Sequence, residues 1–545
     1  MNKKITEDII ALDQELWKKL QETGIFASKR ITYGTSGFRF KNEALDYIVF
    51  RLGFFQALIA QRDAPRHWGI AITASHNPKP DNGVKIINAH TGMLEIKYEK
   101  VLEDYMNNPD FLSALDKLIK ELGIDNTETG ESFIVLGHDT RTSADRLKAL
   151  FKKSATLFGA RILDIGQVAT PHVFVTVDYL NKGLVSLKNT VEEIRDYYFK
   201  IYSEKYNRIV KLLPAFEKKK IVFDCSNGVG FLSIRQFNER CVKNSHNLII
   251  INKDDGENLN NLCGAEHVHK VQTIPANYDE SVPYGISLDG DADRLTYFLY
   301  KNNQLELVDG DKMSALIALF IQKVLKDVLK IEKYNLGAVM TNYSNFALKK
   351  YLTERGISQG VAKTGVKYLH GMAEDMEVGV YFESNGHGTL TIQQSFLDQI
   401  ESKVDKTNKE HVLAWELINF INPLTGDAVF NFLQIELILL YLNMSREEFA
   451  NIFVYKKFKT YKLKVKDKNA IIADEIKAIV VEPKEIQNHI DLLVEKHKEL
   501  SPRIYIRPSG TEDIIRIHIE ADTDEVIQQI REELDPFLLT NKVIN

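Results

Sequence analysis

Ser75 stands in Thr73-Ala74-Ser75-His76-Asn77-Pro78, at the exit of the strand-like run Trp68 to Thr73. A hydroxyl beside an imidazole, on a turn stiffened by Pro78, suits a nucleophile or a phosphate carrier. The same residue types also bond their own backbone in ordinary turns, so the hexapeptide alone leaves both readings open. No Gly-x-Ser-x-Gly surrounds Ser75, which sets aside a hydrolase elbow. The hydroxyl is expected at the surface, where its loss would cost little stability.

Asp289, Asp291 and Asp293 follow the apolar run Gly285 to Leu288, with Gly290 bending the chain between them. Three carboxylates at spacing two can converge on one hard cation such as Mg²⁺, and without one they would repel. A calcium EF-hand needs Gly at the sixth loop position and Glu at the twelfth; Arg294 and Tyr300 stand there instead. Glu383-Ser384-Asn385-Gly386-His387-Gly388 offers a carboxylate and an amide, groups that suit sugar hydroxyls, although a polar glycine-rich turn reads the same way. Arg507-Pro508-Ser509-Gly510-Thr511-Glu512-Asp513, with Arg516 beyond it, combines guanidinium groups, hydroxyls and loop N–H donors into a phosphate cradle or an ordinary turn. It is no nucleotide P-loop, because no Gly-x-x-x-x-Gly-Lys-[Ser/Thr] occurs.

These loops need scaffolding, and the pattern supplies it as α/β layers. Ile9, Leu12, Leu16 and Leu20 recur at helical spacing with Gly24 as a stop, and a second helix is predicted over about Asp46 to Gln61. Strand-like runs then alternate with helical segments at Phe133 to Gly137, Arg161 to Ile165, Lys220 to Cys225, Asn247 to Asn252, Gly285 to Leu288, Gly337 to Thr341 and Gly379 to Phe382. A charged helix is expected near Val191 to Val210 and another from about Asp311, after a strand pair. Beyond Asn443, Lys-rich alternating runs at Tyr461 to Val465 and Arg503 to Ile506 mark a smaller mixed domain.

The length of 545 residues predicts several domains. With 44% hydrophobic and 27% charged residues, the composition is that of a globular protein rather than a disordered or fibrous one. A formal net charge of -5 gives no basic footprint for nucleic acid. Cys225, Cys241 and Cys263 form no Cys-x-x-Cys and read as free thiols. No secretory leader and no 18-residue uncharged apolar run is seen, so the expectation is a cytoplasmic protein with no membrane partner and no obligate protein partner.

In their order and together, the serine loop, Asp triplet, sugar-type loop and phosphate loop resemble the α-D-phosphohexomutase family over nearly the whole chain. The resemblance implies an α/β fold of four domains around a central cleft, three of them mixed α/β and the last a smaller α+β domain. The corresponding ranges are 1–185, 186–300, 301–450 and 451–545, each giving one loop to the active site. It implies that Ser75 is the phosphoserine and that Ser75, Asp289, Asp291 and Asp293 hold one Mg²⁺. By the same resemblance Glu383, Ser384 and Asn385 bind the sugar, while Arg507, Ser509, Gly510, Thr511 and Arg516 grip the phosphate that is not transferred. Arg39, in Gly34-Thr35-Ser36-Gly37-Phe38-Arg39, would line the transferring phosphate, with His76 and Lys85 as proton-transfer candidates.

The partner implied is a phosphosugar, with a sugar 1,6-bisphosphate as activator and intermediate. Gly137-His138-Asp139-Thr140-Arg141 follows the serine loop here, whereas most of the family place such a segment before it. That order resembles the branch acting on N-acetylglucosamine phosphates, on the route to UDP-N-acetylglucosamine. Asn385 points the same way, while Ser384 departs from the alanine usual there. The alternatives are a mutase for glucose, mannose or glucosamine phosphates, or a non-catalytic sugar-phosphate-binding protein.

Overall fold

In the computed structural model, residues 3–27, 30–124, 133–253, 255–509 and 513–540 are described. The chain forms two compact units. Unit 1 comprises Met1–Asp309, Asn385–Thr389 and Asp405–Asn443; unit 2 comprises Gly310–Ser384, Leu390–Val404 and Met444–Asn545.

Unit 1 holds two five-stranded sheets. The first contains β1 (Phe38–Lys41), β2 (Trp68–Ile72), β3 (Asp81–Ile87), β4 (Phe133–His138) and β5 (Arg161–Gln167), in the order β1-β3-β2-β4-β5. The second contains β6 (Lys219–Asp224), β7 (His246–Ile251), β8 (Tyr284–Leu288), β9 (Leu295–Lys301) and β10 (Gln304–Val308), in the order β10-β9-β8-β6-β7. Strands β2, β4 and β5 run parallel, as do β7, β6 and β8. All five residues of β2 are buried, as expected for a strand covered on both faces.

The predicted second helix spans Leu45–Arg62 and is apolar nearly all round, so it lies inside the core rather than on it. Gly53 is required there. A Cβ would fall 1.9 Å from Ser154 Oγ on the helix Ala144–Leu157. The first helix, Lys3–Glu22, is tied to this core by a buried two-point ion pair, Arg51 Nε and Nη2 donating to Asp13 at 2.8 Å each.

Unit 2 holds β11 (Leu336–Thr341), β12 (Ser358–Ala362), β13 (Val378–Phe382) and the Leu390–Ile392 end of β14 (Gly388–Ile392), in a sheet ordered β12-β11-β13-β14. Its C-terminal part has a three-stranded antiparallel sheet, β15-β19-β18, and a two-stranded ribbon, β16-β17. These are β15 (Lys457–Lys464), β16 (Ile472–Asp474), β17 (Ile479–Glu482), β18 (Arg503–Pro508) and β19 (Ile514–Ala521). Helices Lys484–Lys496 and Asp524–Thr540 cover one face, burying Ile486, Ile490, Ile527 and Leu534 against Ile504, Ile517 and Ile519.

Candidate active site

The serine loop leaves the carboxyl end of β2 and the Asp loop the carboxyl end of β8. In α/β sheets this is where loops converge on ligands. Ser75 is fully buried, not at the surface, and its φ of 55° is a left-handed conformation that a non-glycine residue holds only under constraint. Its N–H donates to Thr73 Oγ1 at 2.9 Å, and its Oγ donates to Asp289 Oδ2 at 2.6 Å. Gly290 makes that approach possible, since a Cβ there would sit 2.7 Å from the Ser75 carbonyl oxygen.

The constraint comes from two residues outside the motifs' assigned roles. Arg141, buried beside Asp139, donates to the carbonyls of Ser75 (3.0 Å), Asn77 (2.7 Å), Pro78 (2.9 Å) and Asp81 (2.7 Å). Its Nε donates to Asp139 Oδ2 at 3.1 Å, the oxygen that also accepts from Thr73 Oγ1 at 2.6 Å. Asn260 Nδ2 donates to the Ser75 and Asn77 carbonyls at 2.9 and 3.1 Å. The Gly137-to-Arg141 segment, seen in the sequence only as a matter of order, is therefore the splint of the serine loop. Its position just after β4, the parallel neighbour of β2, was the available signal.

Asp289, Asp291 and Asp293 are all buried and their oxygens lie within 4.8 Å of one another. Burial, then Asp293 and Asp291, push the Asp289 carboxyl far above the usual carboxylate range. Lys85 on β3 donates to Asp291 Oδ2 (2.6 Å) and Asp293 Oδ2 (2.5 Å), and Thr170 Oγ1 donates to Asp291 Oδ2 (2.7 Å). Asp291 Oδ1 is buried with no hydrogen-bond partner among the described residues. Crowded carboxylates with a partnerless buried oxygen fit a hard divalent cation, and Asp289, Asp291 and Asp293 are the residues to hold it.

Burial works against the charge of Lys85, but the two carboxylates outweigh it and hold the ammonium above its ordinary range. Lys85 is therefore held as a cation rather than as a base. Burial, followed by Arg294, pushes the His76 imidazole down to about 2, so it is neutral; its Nδ1 lies 3.3 Å from Ser75 Oγ. Arg39 is half-buried and donates to Ser36 Oγ at 3.0 Å. Burial and Arg294 lower its pKa, and the three aspartates oppose them, which places it in the field of the triad.

The sugar-type loop divides between the units, Glu383 and Ser384 in unit 2, Asn385 to Gly388 in unit 1. Within unit 1, Asn385 Oδ1 accepts from the His387 N–H at 3.0 Å, and His387 Nδ1 lies 3.1 Å from Asp293 Oδ1, a tie to the triad that the sequence reading did not assign. Within unit 2, Glu383 Oε1 accepts from Gly365 N–H at 3.1 Å.

Arg507 and Arg516 stand directly opposite each other on β18 and β19. Like charges so placed repel unless an anion joins them. Nε of each is buried without a hydrogen-bond partner among the described residues, and Arg507 Nη1 donates to Glu475 at 3.1 Å. Ser509 is buried, its N–H bonded to the Ile514 carbonyl at 2.9 Å. Gly510 and Thr511 lie outside the described residues.

Comparison with known proteins agrees with this geometry. Family models match residues 55–113 (Phosphoglucomutase/phosphomannomutase, alpha/beta/alpha domain I), 309–444 (Phosphoacetylglucosamine mutase AMG1, domain III) and 461–536 (Phosphoglucomutase/phosphomannomutase, C-terminal domain). These matches, with the loops described, define a phosphohexomutase. The chain is 32% identical to the phosphoacetylglucosamine mutase of Homo sapiens over 92% of its own length and 93% of that relative's. It therefore belongs to the phosphoacetylglucosamine mutase family, and is an enzyme.

Among solved structures, the Aspergillus fumigatus N-acetylphosphoglucosamine mutase in complex with GlcNAc-6P and magnesium aligns with a TM-score of 0.86, at 28% identity over 96% of this chain and 98% of that one. The same fungal protein in complex with glucose 1,6-bisphosphate aligns at 0.87, with 26% identity over 98% and 99%. Among the described residues, no helix is long and apolar enough to cross a membrane.

Proposed function

We propose that this enzyme interconverts N-acetylglucosamine 6-phosphate and N-acetylglucosamine 1-phosphate, with Ser75 carrying the transferred phosphoryl group. The observation that carries the reading is Ser75 itself, a buried hydroxyl held in a left-handed turn 2.6 Å from Asp289. The fungal relative's complexes with GlcNAc-6P, magnesium and glucose 1,6-bisphosphate support the substrate, the metal and the intermediate. The four-domain division is part of the same proposal, with one of the four loops in each domain.

Phosphorylated Ser75 donates its phosphoryl group to O1 of the 6-phosphosugar: the O1–P bond forms, the Ser75 Oγ–P bond breaks, and the O1 hydroxyl proton ends on Ser75 Oγ. The resulting 1,6-bisphosphate reverses in the site. Ser75 Oγ then takes the O6 phosphoryl group as the O6–P bond breaks, the Ser75 hydroxyl proton passes to O6, and the 1-phosphate leaves. Asp289, Asp291 and Asp293 would hold Mg²⁺, which would supply positive charge for the transfer. Lys85, Arg39 and Arg294 add fixed cations around the same oxygens, and charge neutralisation with in-line positioning is most of what phosphoryl transfer requires. Arg507 and Arg516, with Ser509, hold the other phosphate, and one clamp accepts it at either end of the sugar. Glu383 and Asn385 bind sugar hydroxyls.

The test is a comparison of kcat/KM for N-acetylglucosamine 6-phosphate and glucose 6-phosphate, with Mg²⁺ and a trace of bisphosphate. Preference for the acetylated sugar is expected. Preference for glucose would keep the chemistry and overturn the substrate; no turnover of either would return the chain to a sugar-phosphate-binding role.

A further inference from the structure

Within unit 1, a cavity of about 500 Å³ opens between the helices Thr170–Asn181, Val191–Leu212 and Gly230–Arg240. Three guanidinium groups line it, Arg195, Arg235 and Arg240, against two carboxylates, Glu192 and Asp196. Asp196 is engaged by Arg240, whose Nη2 also donates to Gln236 Oε1 at 3.0 Å. Glu192 is exposed to solvent. No carboxylate among the described residues forms an ion pair with Arg195 or Arg235. Arg195 Nη2 reaches the Gln167 carbonyl at a long 3.4 Å, and the Arg235 guanidinium lies 5.5 Å from the centre of the Phe231 ring.

Phe199 and Leu232 add apolar wall, Gln167, Ser233 and Gln236 add polar groups, and beside them stands His172, only 3% exposed. His172 Nε2 is buried without a hydrogen-bond partner among the described residues, which in a folded interior is costly unless something else meets it. Burial and then the Arg195 charge push this imidazole down to about 3, against a hydrogen bond to the Arg195 backbone, so it is a neutral polar group at the cavity wall.

We infer that this cavity binds a small organic phosphate with a planar or apolar body, at a site separate from the catalytic one. Arg195 and Arg235 meet the phosphate, for which the guanidinium fork is suited. Phe199 and Leu232 meet the body, and His172 Nε2 meets a hydroxyl or ring N–H on it. The volume falls in the range of small-ligand pockets.

The probes are UMP and inorganic phosphate, titrated calorimetrically into the full chain with Mg²⁺ and saturating glucose 1,6-bisphosphate, so that the catalytic phosphate clamp is filled. One UMP per chain is expected, with phosphate binding more weakly because it leaves the apolar wall empty. Arg195→Ala with Arg235→Ala should weaken UMP by about tenfold or more while leaving kcat/KM unchanged. Arg235→Glu alone, at an exposed helix position whose charge reversal does not threaten folding, should abolish UMP binding. Absence of UMP binding, binding indifferent to both variants, phosphate binding as tight as UMP, or loss of UMP binding on adding the bisphosphate would each overturn the inference.

Discussion

Arg141→Lys isolates the splint from its charge. The native guanidinium makes five contacts, four to backbone carbonyls between Ser75 and Asp81 and one to Asp139. A lysine ammonium has three donors on one atom, so at least two contacts are lost, while Asp139 keeps a buried cation and is not stranded. At about 1.5 kcal/mol for each charge-assisted bond, the serine loop should lose about 3 kcal/mol of local stability. Released from its left-handed turn, Ser75 Oγ no longer holds one position relative to Asp289, and misplacement by about 1 Å costs on the order of a hundredfold in rate. kcat should therefore fall about a hundredfold, with KM little changed, because Arg507 and Arg516 are untouched. Steady-state kinetics reads the first effect, and faster amide exchange over residues 73–81 reads the second. A kcat within about threefold of native, with unchanged exchange, would refute the splint.

Asp291→Asn removes the charge from a triad residue whose Oδ1 has no hydrogen-bond partner among the described residues, and should raise the Mg²⁺ concentration for half-maximal activity about tenfold or more; an unchanged Mg²⁺ titration would take Asp291 out of the metal site. Arg507→Ala relieves its repulsion from Arg516 but removes half the clamp, so it should chiefly raise KM for the phosphosugar, and a purely kcat effect would contradict the assignment. Asp427, buried under the Tyr198 hydroxyl, has its pKa pushed up to about 6 from the ordinary 3.8, chiefly by burial. The folded state therefore keeps a proton that the unfolded state has lost. Stability falls as pH rises from about 4 to about 6 and stays lower above that. Asp427→Asn lacks this titration, so its thermal midpoint should rise relative to native between pH 4 and pH 7; a constant difference across that range would sink the argument.

The sequence carried the elements well because their cores are periodic and short. The helix expected at Asp46 to Gln61 spans Leu45–Arg62, and the buried strands begin or end within a few residues of where apolar runs do. β3 was not foreseen as a strand. It follows a Pro-Lys-Pro turn and carries Asp81, Asn82 and Lys85, residues that lower strand propensity, and it is held by pairing to its neighbour β2 and to β1, which is remote in sequence. The Asp triplet and Ser75 were legible because each is compact in sequence. What pins them was not: Arg141, Asn260, Thr170 and His387 come from four separate segments, and only the fold brings them to the Ser75 and Asp loops. The surface position expected for Ser75 failed for the same reason, since what covers the hydroxyl is the Asp loop more than two hundred residues away.

The central claim is that Ser75 carries the phosphoryl group, and the most direct measurement is transfer of label from glucose 1,6-bisphosphate phosphorylated with ³²P. The account predicts one acid-stable phosphate per chain on the peptide containing Ser75, discharged on adding N-acetylglucosamine 6-phosphate, with no label and no turnover in Ser75→Ala. Turnover in that variant, or label on another residue of the native enzyme, would contradict it.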